Sequence, residues 1–232
     1  GGISTTIVTT LYLVGLTLVI ATPLGVGAGI YLVEYAGEIE ARSRFVRWLV
    51  TVARFGVETL AGVPSIVFGL FGYALFVVAM QFGFSLLSAG LAGASLILPV
   101  IIRTTEEALK AVPRSYREGS LALGATKWQT IWQVVLPAAG PGIVTGVVLG
   151  IGRVVSETAV FYVTLGGSAS APTSLLEGGR TMALHVYYLA MDTRAFDRAM
   201  GTGAILVLVI VLINATINIM SRRYRKRMMG NV

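Results

Sequence analysis

Residues 59–102 read TLAGVPSIVFGLFGYALFVVAMQFGFSLLSAGLAGASLILPVII, a run of 44 residues without a charged side chain. A membrane-spanning helix needs about 20 predominantly apolar residues, so this run is too long for one span and suits two. The polar, glycine-containing segment 81–90 lies where a turn between them belongs. We therefore predict one span at Thr59–Met80 and another at Leu91–Ile102, the latter extended into the charged residues that follow.

The rest of the chain shows the same pattern of long apolar runs. The first 33 residues carry no charge, which predicts a first helix at Ile7–Val33. Two further runs predict a fourth helix at Gly140–Leu165 and a fifth at Ala199–Ser221. Only 12% of the 232 residues are charged, about half the share of about 25% found in soluble domains. We expect an all-α integral membrane protein, a polytopic bundle forming a single transmembrane domain over residues 1–232.

Glycine is frequent within the predicted spans, and small residues allow membrane helices to approach closely. The clusters that suit a tightly packed bundle are Gly25, Gly27 and Gly29, and Gly62, Gly69 and Gly72.

The positive charges indicate the orientation, because cytoplasmic loops of membrane proteins are rich in Lys and Arg. In the five-helix arrangement, fourteen of the 18 cations fall on one side: Arg42, Arg44, Arg47, Arg54, Arg103, Lys110, Arg114, Arg117, Lys127, Arg222, Arg223, Arg225, Lys226 and Arg227. The opposite side has only Arg180, Arg194 and Arg198. This distribution predicts a cytoplasmic C-terminus and membrane lipid, not nucleic acid, as the surroundings. An outside N-terminus without a signal sequence leads us to expect a further helix ahead of this chain.

Several chemistries are disfavoured by composition. There is no cysteine and a single histidine, His185, so neither a disulfide framework nor a thiolate or histidine metal cluster is expected. The chain contains no G-x-x-x-x-G-K-[ST] phosphate loop and therefore no ATPase site of that type. We expect no catalytic residue, metal or cofactor, and a membrane-embedded enzyme is disfavoured because no acid–base pair is visible within the spans.

The loop 103–137 between the third and fourth helices is predicted to contain structure of its own. Pro113 ends the extension of the third helix, and Arg114–Leu123 forms a short helix that Gly124 terminates. Thr126 and Gln129 have the spacing of a capping box. The helix that they open has apolar side chains at helical spacing, Trp128, Ile131, Trp132 and Val135, and we expect it at the membrane interface, separate from the fourth span.

Residues Glu118–Pro137 resemble the coupling-loop signature of ABC importer permeases, which is E-A-A, three residues, Gly, nine residues and I-x-L-P. Here the triplet is Glu118, Gly119 and Ser120, the glycine is Gly124, and Val134-Val135-Leu136-Pro137 ends the motif. Small residues replace the two alanines and valine replaces isoleucine. The resemblance implies that this short helix docks onto a separate ATPase subunit. The alternative is an interfacial loop helix without a partner.

Four further stretches, residues 1–36, 60–72, 98–113 and 152–166, resemble the phosphate-specific ABC importer permease of the PstA type. The segment GGRTMALHVYYL at 178–189 favours that type over its sister, the PstC type. The family has six helices, so the resemblance also implies that the first is missing here. It further implies an inner-membrane location and three kinds of partner: a PstC-type sister permease, a PstB-type ATP-binding dimer and an extracytoplasmic PstS-type phosphate-binding protein.

Arg153 and Glu157 lie inside the predicted fourth span at i, i+4 spacing, on one helical face. An arginine at the bilayer centre costs about 2.5–3.5 kcal/mol on insertion scales, so it is normally paired or faces a polar cavity. We predict an ion pair that lines the substrate pathway, and arginine suits phosphate oxygens. A purely structural ion pair is the alternative.

The loop 166–198 is predicted to be external, with a short helix at Thr181–Met191 in which His185 is structural. Two alternatives to a phosphate importer remain. One is an ABC importer for another oxyanion. The other is an ion-coupled secondary transporter, which the coupling loop and the lack of visible inverted repeats disfavour.

Overall fold

The computed structural model describes residues 3–36 and 44–229, with the backbone alone for residues 217, 218 and 220–229. Its helices are α1 (Ser4–Ile30, continued by a π-helical turn at Tyr31–Tyr35), α2 (Arg44–Ala61), α3 (Ser65–Gly72, continued by a π-helical segment at Tyr73–Ala79), α4 (Leu86–Lys110), α5 (Arg114–Ala122), α6 (Lys127–Ser156, with a π-helical turn at Ile131–Val135), α7 (Ala159–Thr164), α8 (Met182–Met191) and α9 (Phe196–Met229). Of the predicted cytoplasmic cations, Arg42 lies outside the described residues. So do the side chains of Arg222, Arg223, Arg225, Lys226 and Arg227, which follow the last described side chain of α9.

Among the residues that the structure describes, four helical segments are long and apolar enough to cross a membrane: Ser4–Tyr35, Leu86–Lys110, Lys127–Ser156 and Phe196–Thr216. Helices α2 and α3 together also satisfy this test, but the chain bends by 110° between them. The predicted all-α, multi-spanning bundle is therefore confirmed, with four spans or five if the bent pair counts as one. The extension of the third predicted helix is also confirmed, since α4 continues to Lys110.

The predicted second span at Thr59–Met80 is wrong as a single helix. Helix α2 begins at Arg44 and ends at Ala61, and α3 begins only at Ser65. Pro64 takes an extended conformation (ψ 139°) as the N-cap of α3, and a proline also disfavours helical geometry in the residue before it. Hydropathy continues through this bend, which is why the apolar run alone does not show it.

The predicted boundaries of the fourth span are also wrong. The interfacial helix and the span form one continuous helix, α6, which begins at Lys127 and ends at Ser156. A proline in a helix clashes with the carbonyl group four residues earlier, and the π-helical turn Ile131–Val135 lies where Pro137 would cause that clash. Helix α6 ends at Ser156 and α7 begins at Ala159, so Glu157 is outside the helix that carries Arg153.

The chain divides into two compact units. The first unit is Gly1–Ala21, Val63–Ile97 and Gly150–Thr216, and the second is Thr22–Gly62, Leu98–Leu149 and Ile217–Val232. Within the first unit, glycines bring α3 against its neighbours: a Cβ at Gly69 would lie 2.9 Å from the Val163 side chain, and one at Gly72 would lie 2.6 Å from Ala92. Close packing of small residues therefore holds this unit together, as the sequence predicted.

Two glycines of α1 pack against α4 in the second unit. A Cβ at Gly25 would lie 2.6 Å from Ile101, and one at Gly29 would lie 2.7 Å from Thr105. A Cβ at Gly142 of α6 would likewise lie 2.6 Å from the Ala108 side chain of α4. Gly27, which the sequence placed in the same cluster, has no atom within 4 Å of its Cβ position. The spacing of Gly25 and Gly29 thus forms the small-x-x-x-small face along which α1 and α4 meet.

We expect Gly29→Leu to destabilise the protein by about 1–3 kcal/mol, because the added side chain overlaps Thr105 in a packed contact. The thermal midpoint of the subunit in detergent measures this change. Gly27→Leu is the matched control, since the same side chain on the same helix meets open space. Equal midpoints for the two variants would contradict the packing described here.

Candidate functional site

The ends of the short helix α5 are formed as the sequence predicted. Pro113 is its N-cap, and Gly124 follows it with φ +84°, a left-handed conformation that favours glycine. The Gly124 amide donates to the Leu121 carbonyl at 3.0 Å, which is a typical C-terminal cap. The capping box at the start of α6 is confirmed too: the Thr126 amide donates to Gln129 Oε1 at 2.8 Å, and the Gln129 amide donates to Thr126 Oγ1 at 3.3 Å.

Helix α5 presents most of its surface to the outside of this chain. None of its residues is buried, and Glu118 and Gly119 are exposed. A Cβ at Gly119 would meet nothing within 4 Å. Apolar side chains share this surface, with Tyr116 and Leu121 about half exposed and Leu123 90% exposed. Exposed apolar groups beside a glycine and a carboxylate are the features of a surface that a partner can approach closely.

The other residues of the predicted coupling motif are used inside the chain. The Ser120 hydroxyl lies 2.9 Å from Thr130 Oγ1 and thereby joins α5 to α6. Leu136 packs against a buried cluster formed by Leu109, Val112, Val135 and Ala139, and Pro137 is half-buried on the same helix. The structure therefore separates the motif into an outward part, Glu118 and Gly119, and a part that positions α5.

An ion pair that the sequence did not predict connects α5 to the end of α1. Arg117 Nη2 lies 2.6 Å from Glu34 Oε1, and Arg117 Nε lies 3.2 Å from the same oxygen. The guanidinium also donates to the carbonyl groups of Val112 and Leu109, at 2.9 and 3.0 Å. The side chains are only 20% and 9% exposed, so this is a largely desolvated pair with its donors well occupied.

The one sequence signal for this pair is that Glu34 is the first charged residue after 33 uncharged ones. Its partner is 83 residues away, a separation that periodicity does not address. A cleft of about 570 Å³ opens beside the pair, lined by Val33, Glu34, Lys110, Val112, Arg114, Arg117 and Glu118.

Arg153 and Glu157 do not form the predicted ion pair. Arg153 lies in the last turn of α6, where a cation complements the helix dipole, and its guanidinium has no hydrogen bond or ion pair with any other described residue. Glu157 Oε1 instead accepts the amides of Ala159 and Val160, at 3.0 and 3.3 Å, and so caps the start of α7. The prediction that both residues belong to one helical face is wrong, because the helix ends between them.

In the segment 166–198, Arg180 organises a group of polar and aromatic side chains. Its Nε donates to the Gly167 carbonyl at 3.0 Å, its Nη1 lies 3.4 Å from His185 Nδ1, and its guanidinium stacks 4.3 Å from the centre of the Tyr188 ring. Burial lowers the pKa of His185, and the positive charge of Arg180 lowers it further. The short helix predicted here is confirmed as α8, with Thr181 as its N-cap.

We expect α8 to loosen on acidification. The folded segment holds His185 with a pKa below the ordinary 6.5, so the unfolded segment binds the proton first as pH falls through about 6.5. Stability contributed above that value is then lost progressively down to the lower pKa of the folded state. The rate of amide hydrogen exchange in α8, corrected for its intrinsic pH dependence, should rise as the pH is lowered from about 7.5 to about 5. His185→Gln should show a smaller rise, and an identical rise in both proteins would contradict the role of His185.

The comparisons with known proteins agree with this geometry. Residues 21–230 match the family described as "Binding-protein-dependent transport system inner membrane component". Among curated relatives, "Probable ABC transporter permease protein YqgI" of Bacillus subtilis is 32% identical over 247 aligned residues, covering 100% of this chain and 81% of the relative. "Phosphate transport system permease protein PstA 1" of Mycobacterium tuberculosis is 38% identical, covering 97% and 72%, and the PstA of Yersinia pestis is 37% identical, covering 96% and 72%.

Among solved structures, a chain of the MetNI methionine ABC transporter in an inward-facing conformation superimposes with a TM-score of 0.69. The two chains are 24% identical, and the match covers 96% of this chain and 94% of the other. A bacterial alginate ABC transporter chain matches with a TM-score of 0.67 at 15% identity, covering 94% and 78%. At these identities the structural likeness concerns the fold. Together with the curated relatives, it shows that the chain belongs to the family of binding-protein-dependent transport system inner membrane components and is a permease component of an ABC importer.

Proposed function

We propose that this chain forms part of a phosphate translocation pathway and couples it to a separate ATPase through α5. The observation that carries the proposal is the exposed surface of Glu118, Gly119 and Leu123, which no part of the described chain covers. Phosphate is supported by the names of the Mycobacterium tuberculosis and Yersinia pestis relatives, which are phosphate transport system permease proteins. The subunit itself supplies no ATP hydrolysis and holds no cofactor.

Arg153 is the residue that we propose to meet the substrate. A guanidinium within a span is costly unless a counter-charge or water surrounds it, and no described residue of this chain supplies that charge. A counter-ion from outside the chain resolves the difficulty, and phosphate is recognised well by the two-pronged geometry of arginine. Glu157 Oε1 accepts the amides at the start of α7 and does not pair with Arg153, which leaves the guanidinium available to the substrate.

The partners follow from the same proposal. A PstC-type sister permease would complete the pathway, a PstB-type ATPase dimer would bind the exposed surface of α5 within the loop 103–137, and a PstS-type binding protein would deliver phosphate at 166–198. The membrane is the cell inner membrane, with the C-terminus in the cytoplasm. Chemistry alone would also allow another tetrahedral oxyanion, and an ion-coupled secondary transporter is the less favoured alternative.

Reconstitution tests this function directly. The subunit is co-expressed with its sister permease and ATPase, and the purified complex is placed in liposomes with the binding protein outside. We expect ATP-dependent uptake of radiolabelled phosphate and little uptake of sulfate. Sulfate uptake at an equal rate would replace phosphate with a broader oxyanion substrate, and uptake without ATP would favour the secondary transporter.

We expect opposite labelling from the two sides of the membrane at Leu123 and Thr173. Both positions are exposed, and the chain has no cysteine of its own, so a single introduced cysteine reports its own location. Leu123→Cys should react with a membrane-impermeant maleimide only after cells are opened, whereas Thr173→Cys should react in intact cells. Labelling of Leu123→Cys from outside would overturn the proposed orientation.

A further inference from the structure

We propose that Arg117 is the positioning residue through which a displacement of α5 reaches the membrane spans, and that it acts on the π-helical turn at the end of α1. This inference rests on the proposed function, in which α5 receives the ATPase. It assigns a role to two residues, Arg117 and Glu34, that belong neither to the exposed docking surface nor to the substrate site.

Helix α5 is attached to its own unit mainly by polar contacts. No residue of α5 is buried, so packing contributes little to its position. Its described polar attachments are the Ser120–Thr130 contact and the three groups that the Arg117 guanidinium binds. The guanidinium holds the carboxylate of α1 and two carbonyl groups at the end of α4 simultaneously. A planar group with donors in a fixed fork transmits rotation as well as translation, which a single flexible contact does not.

Three cations from three helices converge on the same turn of α1. Arg117 of α5 binds Glu34, Arg54 of α2 donates to the Leu32 carbonyl at 2.8 Å, and Lys127 at the start of α6 lies 4.6 Å from the centre of the Tyr35 ring. The turn they hold, Tyr31–Tyr35, is π-helical. Single π-helical turns are uncommon and occur frequently at functional positions.

The π-helical turn continues directly into the part of α1 that packs against α4. Gly29 and Gly25 lie about one and two turns before the centre of this π-helical turn. A Cβ at Gly29 would lie 2.7 Å from Thr105 of α4, and one at Gly25 would lie 2.6 Å from Ile101, so neither position has room for a side chain. The α1 backbone therefore lies directly against the β-branched side chains of Ile101 and Thr105, and we expect this close packing to carry a shift of the α1 end to α4. A push on α5 by a partner would follow the route α5, Arg117, Glu34, α1 and α4, all within the second unit.

The test separates coupling from simple stabilisation. In the assembled transporter, Arg117→Gln is compared with wild type for three quantities: ATPase subunit retained on purification, ATP hydrolysed and phosphate taken up. We expect retention and hydrolysis to persist while uptake falls, so that ATP consumed per phosphate rises by about tenfold or more, since charged hydrogen bonds are lost. Glu34→Gln should give a smaller rise because the carbonyl contacts of Arg117 remain. Arg117→Lys should restore part of the coupling because it keeps the charge.

The matched control is Arg103→Gln, which breaks an ion pair with Glu107 in the same unit whose side chains are 60% and 65% exposed. Its ratio of ATP to phosphate should equal that of wild type. The proposal is overturned if Arg117→Gln lowers uptake and hydrolysis in equal proportion, or leaves both unchanged.

A second measurement is independent of the substrate. Spin labels at Leu24→Cys in α1 and Ser115→Cys in α5, two exposed positions outside the proposed docking surface, report the distance between α1 and α5 in the complex. We expect ATP to change that distance in wild type, and Arg117→Gln to remove the change. An ATP-induced change that survives in Arg117→Gln would overturn the route through Arg117. Absence of phosphate uptake by the wild-type complex, in contrast, would overturn the proposed substrate while leaving this distance measurement interpretable.

Discussion

Gly119→Trp is expected to abolish binding of the ATPase subunit while the permease still folds and inserts. The reason is that Gly119 has free space around it in its own chain, whereas the partner would fill that space in the proposed complex. Within the chain a Cβ at Gly119 meets nothing within 4 Å, so the indole has room in the isolated subunit. In the proposed complex the same space is occupied by the partner, and overpacking a close contact costs about 1–3 kcal/mol or more. We expect the ATPase recovered with the permease to fall by about tenfold or more, which corresponds to about 1.4 kcal/mol.

Two variants make this result specific to α5. Gly201→Trp adds the same side chain at another glycine with open surroundings, on α9, and should retain the ATPase. Glu118→Gln removes a charge from the docking surface without adding volume and should have a smaller effect than Gly119→Trp. Normal recovery and coupled transport in Gly119→Trp would remove α5 from the interface. Loss of the ATPase in Gly201→Trp would show instead that the complex is sensitive to any added tryptophan.

The second large effect is expected at Arg153. Arg153→Gln should lower phosphate uptake by about tenfold or more without preventing assembly, because hydrogen bonds to a charged group contribute about 1.5–3 kcal/mol. Loss of the cation also leaves Glu157 as the nearby charge, and a carboxylate repels phosphate. Arg153→Lys should recover only part of the uptake, since lysine keeps the charge but lacks the bidentate geometry. Uptake of radiolabelled phosphate, measured beside a pull-down of the ATPase, checks both statements.

The double variant Arg153→Gln with Glu157→Gln distinguishes a cation that meets the substrate from one that only offsets the repulsion of phosphate by Glu157. The glutamine at position 157 keeps an oxygen that can accept the amides of Ala159 and Val160, so the start of α7 need not be lost. If Arg153 only offset the negative charge of Glu157, removing both charges would restore transport. We expect the double variant to assemble and to remain deficient in uptake. Normal uptake in it would exclude Arg153 from the pathway.

The features that sequence predicted well are those that depend on neighbouring residues. The capping box of Thr126 and Gln129 and the glycine at the end of α5 each involve groups within a few residues, so their geometry is encoded locally. The number of apolar runs likewise predicted the multi-spanning fold. Hydropathy indicates whether a segment lies in lipid or in water, but it does not indicate the direction in which the helix runs. The bend before Ser65 was missed for this reason.

The features that sequence missed depend on distant parts of the chain or on hydrogen-bond register. The pairing of Glu34 with Arg117 requires knowledge of which helix ends meet, and no periodic pattern contains it. The predicted pair of Arg153 and Glu157 assumed an uninterrupted helix, but the Glu157 carboxylate caps the next helix instead. A π-helical turn before Pro137 likewise allows a continuous α6 where an interfacial helix and a separate span were predicted.

The exposure of Leu123 has a consequence for how the subunit survives before assembly. An apolar side chain that is 90% exposed, next to half-exposed Leu121 and Tyr116, is a surface that chaperones and proteases recognise in unassembled chains. Docking of the ATPase would hide this surface, so the lifetime of the permease would be set by the supply of its partner. Subunit stoichiometry would then be regulated by degradation of whatever permease is made in excess, without any dedicated sensor.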